Sequence, residues 1–276
     1  MSEAVFSLKG VEYAYLGRFP ALRDLDLEIP RGGKVALLGA NGTGKSTLLT
    51  MLDGLIFPDR GELRWNGIPL TEAYLNEPEN SRRFRQQVGF VFQNPDIQLF
   101  CPTVREDIAF GPLQLGVADD EVRARMAKVT ALLEIEGLLD RSCHQLSVGE
   151  KRKVAIATTL VIEPEVILLD EPTAGLDPST IQHIIEIIEE AAGKGKTIVT
   201  ATHDLHLVNE MADTIFVFNQ EKRIIRSGEA HNILSDIAFL QEHNLMHAHR
   251  HRHDGMVHTH PHEHLEHHHP HTPKSP

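Results

Sequence analysis

The run Gly39-Ala40-Asn41-Gly42-Thr43-Gly44-Lys45-Ser46-Thr47 limits what this chain can fold into more than any other feature. A short apolar run, Lys34–Leu38, leads into it, and Thr47–Leu55 continues at helical spacing. Strand, glycine-rich loop and helix in that order make a phosphate cradle. The glycines let successive backbone N–H groups turn inward, and the helix offers its positive end to an anion. Lys45 can reach the β- and γ-phosphates of a nucleotide, and the Ser46 hydroxyl can ligate magnesium. A glycine turn that binds nothing is the alternative, and the joint presence of strand, loop and helix speaks against it.

A second run, Val166-Ile167-Leu168-Leu169-Asp170-Glu171, is an apolar strand ending in two acids. Taken alone it could be a solvated strand end. After a phosphate loop, Asp170 reads as the magnesium carboxylate and Glu171 as the group that orients the attacking water.

The remaining pattern alternates. Val5–Glu12, Leu25–Ile29, Gly61–Trp65, Val88–Phe92, Glu165–Leu169, Thr197–Ala201 and Thr214–Phe218 read as strands, and helices between the later ones imply a mainly parallel sheet. From Pro95 to Ile162 the pattern is helical instead. Asp119-Asp120-Glu121 open one helix, which Gly137 can end, and a second runs from about Gly149 to Glu163 and stops at Pro164. This stretch is expected to be a helical subdomain, about 95–163, inserted into a domain spanning 1–245. The chain has 276 residues, of which 41% are hydrophobic, enough for one large core. A net charge of −12 argues against nucleic acid, which needs a basic face. Cys101 and Cys143 form no Cys-x-x-Cys pair, so a reduced, cytosolic setting is expected. Neither a signal peptide nor an apolar run near the roughly 20 residues of a membrane span is read, so other chains must supply any membrane path.

Four further motifs carry a family resemblance. Leu146-Ser147-Val148-Gly149-Glu150 resembles the ABC signature. Asp170-Glu171-Pro172-Thr173-Ala174-Gly175-Leu176-Asp177-Pro178 resembles the ABC Walker B and D-loop, and Thr202-His203-Asp204 the switch histidine. Gln93 resembles the Q-loop glutamine. With the phosphate loop, the similarity to ABC ATPases covers about residues 5–235. It implies an α/β fold with a RecA-like phosphate-loop NTPase core, an antiparallel β subdomain and the inserted helical subdomain. It also implies ATP and Mg2+ as ligands. Two such subunits, identical or merely similar, would stack head to tail. ATP would then lie between residues 39–47 of one and Ser147, Gly149 and Glu150 of the other, with Asp177 near the dimer seam. Glu171, His203 and Gln93 would be catalytic, with Ser46, Gln93 and Asp170 around magnesium. Tyr15 matches the aromatic that stacks on adenine, Tyr13 being the alternative. The sequence departs from the family at Val148, where glycine is usual. A valine disfavours positive φ, so the loop there is expected to be β-like or helical.

Gln93–Phe100, Thr103–Pro112 and Glu150–Ala157 are similar to the ATPases of energy-coupling-factor importers of cobalt, nickel and vitamins. The resemblance implies a peripheral protein on the cytoplasmic face of the membrane, bound to integral membrane subunits. After about Leu245 the pattern collapses into a histidine-rich tail, 246–276, too poor in apolar residues to fold alone. In it His247, His249, His251 and His253 alternate, as do His258, His260, His262 and His264. Neutral imidazoles suit nickel, cobalt, zinc and copper, so the tail reads as a transition-metal binder and the cargo as nickel or cobalt. A solvated linker is the alternative for the tail, as is a purification tag, which Leu265–His269 resembles before Pro270 interrupts it. A vitamin importer, or an ABC ATPase that does not transport, is the alternative for the whole.

Overall fold

The structure, a computed structural model, describes residues 3–246, and the backbone alone of 248–253 and 256–261. Two sheets and a helical block account for most of it. The chain opens with β1 (Ala4–Tyr15), β2 (Phe19–Pro30) and β3 (Lys34–Leu38), then α1 (Lys45–Leu52), β4 (Arg60–Trp65) and β5 (Ile68–Pro69). Next come α2 (Glu72–Asn76), α3 (Pro78–Gln87) and β6 (Val88–Val91). Helices α4 (Val104–Gln114), α5 (Asp119–Leu133) and α6 (Val148–Leu160) follow without an intervening strand. The sheet resumes with β7 (Val166–Asp170), α7 (Pro178–Gly193), β8 (Thr197–Thr202), α8 (Leu205–Met211), β9 (Thr214–Phe218) and β10 (Ile224–Glu229). Then come α9 (Ala230–Leu234), α10 (Ile237–Glu242), β11 (Ala248–His253) and β12 (Met256–Pro261).

The larger sheet has the order β10-β9-β3-β8-β7-β6. Neighbours from β9 to β6 run parallel, and β10 returns antiparallel to β9. Every residue of β7 and β8 is buried, as a parallel strand covered on both faces requires. The smaller sheet, β2-β1-β4-β5, is antiparallel throughout. Its inner face shares one apolar cluster with α1 and the large sheet, in which Phe6, Trp65 and Phe84 are fully buried. A second cluster joins α4, α5, α6 and α7 to the other side of β7 and β8.

Two helix ends differ from the sequence expectation. Helix α5 stops at Leu133, before Gly137, because Glu134 itself takes the left-handed conformation at φ 56 and closes the last turn. Helix α6 stops at Leu160, because Glu163 turns left-handed at φ 58 ahead of Pro164. The sequence reading passed over α2, α3, β10, α9 and α10, and left α4 undelimited within the helical stretch. In the tail, where no independent fold was expected, β11 pairs antiparallel with β12. His249 lies opposite His260, and His251 opposite His258. Alternation along 248–253 and 256–261 suits two strands. The side chains of His249, His251, His253, His258 and His260, and the whole of His247, His262 and His264, lie outside the described residues.

Candidate nucleotide site

Parallel strands in register deliver their C-terminal residues to one edge. Leu38 pairs with Thr202, Asp170 with Ala201, and Val91 with Leu169. The phosphate loop, Asp170-Glu171, His203 and Gln93 all follow from those ends, so four segments distant in sequence meet at the carboxyl edge, where open α/β sheets bind ligands. A cavity of about 400 Å³ lies there, lined by Tyr15, Phe19, residues 41–47, Gln93, Glu171 and Lys222.

The loop is shaped by contact as much as by glycine. Gly44 has φ 107, and a Cβ on it would sit 2.4 Å from the Ala21 carbonyl oxygen, so β2 presses on the loop from behind. Thr43, 1% exposed, donates from Oγ1 to the Ala40 carbonyl at 2.9 Å and closes the turn. Gly39 and Ala40 lie at the loop entrance, and their carbonyls accept from Lys45 Nζ at 2.6 and 3.2 Å. That ammonium also stands 3.9 Å from Glu171. Burial depresses the Lys45 pKa, and the charges of Glu171 and Asp170 oppose the shift. Ser46 donates from Oγ to Asp170 Oδ1 at 3.0 Å, pairing two oxygen groups suited to a hard cation. Burial raises the Asp170 pKa.

Glu171 is 6% exposed and has φ 44, an uncommon conformation for a residue with a side chain. Its amide donates to the Ala201 carbonyl at 2.9 Å. Its carboxylate accepts from Thr202 Oγ1 at 3.1 Å and meets His203 Nδ1 at 2.8 Å. The backbone is thus held in a strained turn and the carboxylate is aimed by two neighbours. Tyr15, 44% exposed, meets the Thr47 hydroxyl at 3.3 Å, while Tyr13 packs edge-on against it at 5.0 Å and lines no part of the cavity.

The signature residues stand elsewhere. Ser147, Val148, Gly149, Glu150, Asp177 and Thr180 line a second cavity that shares no residue with the first. Ser147 caps α6 in a reciprocal box with Glu150, at 3.2 and 2.7 Å. Val148 is the first helical residue, as the side chain requires, and is 58% exposed. Gly149 is not held to positive φ, and a Cβ there would meet only Thr180, at 3.9 Å. Within one chain, then, nothing demands a glycine at this position.

The ABC transporter family profile matches residues 22–174. The chain is 47% identical over 244 residues to the nickel import ATP-binding protein NikO of Rhodobacter capsulatus, covering 87% of this chain and 95% of that one. It superposes on CbiO1 of Clostridium perfringens, part of the ABC transporter complex CbiONQ, with a TM-score of 0.74 and 35% identity over 88% of this chain and 96% of that one. A dimeric bacterial ABC transporter cassette gives 0.73 at 29% identity, covering 82% and 98%. This chain belongs to the ABC transporter family. It is an ABC ATPase, the ATP-binding subunit of a transporter. No helix among the described residues is long and apolar enough to cross a membrane.

Two residues around the ABC ATPase site were not found by sequence reasoning. Lys222, on the turn between β9 and β10 at φ 67, donates from Nζ to the Gly42 carbonyl and lines one side of the first cavity. Its distance of 180 residues from the loop leaves no local signal. Arg152, 2% exposed, donates from Nη1 and Nη2 to the Phe92 and Gln93 carbonyls. Flanked by Lys151 and Lys153, it reads locally as part of a solvated basic run, so neither its burial nor its partners are marked in the sequence.

Proposed function

We propose that this chain binds ATP with magnesium between the phosphate loop of one copy and the signature end of α6 on a second, and hydrolyses it to drive import of nickel or cobalt. The observation that carries the hydrolytic reading is Glu171. A carboxylate held at φ 44, buried, aimed by Thr202 and His203 and 3.9 Å from Lys45 is placed to orient a water for attack on the γ-phosphate. Lys45 and the amides of residues 41–46 bind the β- and γ-phosphates, and Tyr15 stacks on the base. His203 steadies Glu171 through Nδ1, leaving Nε2 free to face the γ-phosphate. Ser46, Asp170 and Gln93 would hold magnesium, which when bound neutralises charge on the phosphate oxygens.

The dimer follows from the two separate cavities. Ser147 and Gly149 offer a capped helix N-terminus, a ready anion site, with no phosphate loop of the same chain beside it. A second copy supplies one, and the missing Gly149 Cβ then makes room for its nucleotide. Asp177 lies on this face. The all-helical run between β6 and β7 serves as the inserted subdomain carrying the signature, and residues 1–245 act as one ATPase domain.

Similarity to a nickel import protein supports the metal cargo, as does the histidine-rich tail, and the resemblance of Gln93–Phe100 supports an energy-coupling-factor partner. One variant tests both levels. Glu171→Gln should retain ATP binding, lose hydrolysis by about 10²-fold or more, and elute as a dimer with ATP. Source cells carrying it should lose nickel or cobalt content in scarce metal and recover it in excess. Normal turnover removes Glu171 from its role; lost turnover with unchanged cell metal removes the cargo alone.

A further inference from the structure

The segment that carries Gln93 is tied to α6 along its length. Thr159 donates from Oγ1 to the Phe90 carbonyl at 3.1 Å, Lys151 pairs with Asp96 at 2.6 Å, and Gln98 Nε2 donates to the Ala155 carbonyl at 2.8 Å. Arg152 makes the tie at Gln93 itself. Its Nη1 donates to the Phe92 carbonyl at 2.8 Å and its Nη2 to the Gln93 carbonyl at 2.7 Å, both short, charge-assisted bonds.

This arginine is costly to keep. It is 2% exposed, and its Nε–H has no partner among the described residues. A buried charge and an orphaned donor both oppose folding, and an apolar side chain of the same length would avoid both. The charges of Asp170 and Glu171 offset part of that cost, but they would reward any cation, so neither packing nor charge gives a reason for a guanidinium here. Geometry does: a rigid planar fork can hold two successive carbonyls at once, which an ammonium cannot. The carbonyls it holds fix the backbone from which Gln93 enters the nucleotide cavity. The helix that carries the fork begins at Val148, in the other cavity, about 6 Å along its axis from Arg152.

We propose that Arg152 is a positioning residue. It sets Gln93 for the nucleotide bound on its own chain, and makes Gln93 follow α6, whose N-terminal end faces the nucleotide held by the second copy. One arginine thus joins the two nucleotides that a single chain touches. The inference rests on the roles given above to Gln93 and to the signature.

A double-mutant cycle of Arg152 and Gln93 in the full chain tests it. Gln93→Ala and Arg152→Met should each lower kcat at least tenfold with the Kd for ATP changed less than twofold. Combined, they should be no slower than Gln93→Ala alone. Arg152→Lys, which keeps the charge without the fork and guards against misfolding of the Met variant, should behave as Arg152→Met does. A readout independent of turnover is amide hydrogen exchange in the Glu171→Gln background. ATP should protect residues 93–98 when Arg152 is present and fail to do so once Arg152→Lys is added, while the protection of residues 39–47 is unchanged. Multiplicative losses in the cycle, or ATP protection of residues 93–98 that survives Arg152→Lys, overturn the inference and leave the role of Gln93 standing. Full activity of Gln93→Ala overturns that role, and the inference with it.

Discussion

Asp53 shows how one buried carboxyl can set a pH dependence away from the chemistry. It is 6% exposed at the end of α1, and Arg85 reaches it at 3.0 Å. Burial raises its pKa from 3.8 to about 6, with Arg85 only partly opposing. The folded chain therefore keeps a proton that the unfolded chain releases, and stability falls as pH rises through that window. A shift of this size corresponds to at most about 3 kcal/mol. Asp53→Asn removes the titration, so relative to the parent it should gain stability between pH 4 and 7. Urea unfolding at the two pH values measures this, and a pH-independent difference would exclude Asp53 as the source. The two thiols behave oppositely to a redox pair poised to react. Burial and the Asp107 carboxylate push Cys101 up to about 11 and Cys143 up to about 12, so both remain protonated at neutral pH.

At the scale of elements, two helices share one device with different consequences. Helices α4 and α6 both begin with a reciprocal capping box, Thr103 with Glu106 and Ser147 with Glu150. Thr103→Ala should cost about 1 kcal/mol and lower the melting temperature by roughly 2–4 °C, with hydrolysis per folded molecule retained. A collapse of hydrolysis at intact folding would give Thr103 a role beyond the cap. Val148 sits one residue inside the second box, exposed and helical. Val148→Gly should leave ATPase activity within a few-fold, because the cap made by Ser147 and Glu150 already fixes the loop. A large fall in activity would mean that the valine side chain itself shapes the signature.

At the scale of the molecule, the packed core reaches Met246. Leu245 and Met246 still pack against the cluster under β9 and α8, and their amides bond to the Leu240 carbonyl. Deleting residues 247–276 should therefore leave the melting temperature and the ATPase rate unchanged and weaken nickel or cobalt binding to the chain. Equilibrium dialysis of both forms against each metal measures this. Equal binding by the two forms would make the tail a linker.

The sequence by itself determined the phosphate loop, the acids after β7, the signature and most strands of the large sheet. Each is local: a glycine spacing, a strand-long apolar run or a capping pattern that the chain must satisfy within a few residues. It also determined that Val148 would not take a glycine conformation. It left three things open: which distant residues complete the site, where α5 and α6 end, and that α2 and α3 exist at all. Pairing across 124 residues between Ser46 and Asp170, and across 180 between Lys222 and Gly42, depends on strand order. No local pattern encodes which strands lie side by side. Tertiary structure decided as well that the phosphate loop and the signature of one chain line different cavities. The physical reason is packing. The helical block must bury its apolar face against β7, β8 and α7, and that leaves the N-terminal end of α6 lining a cavity apart from the glycine-rich loop.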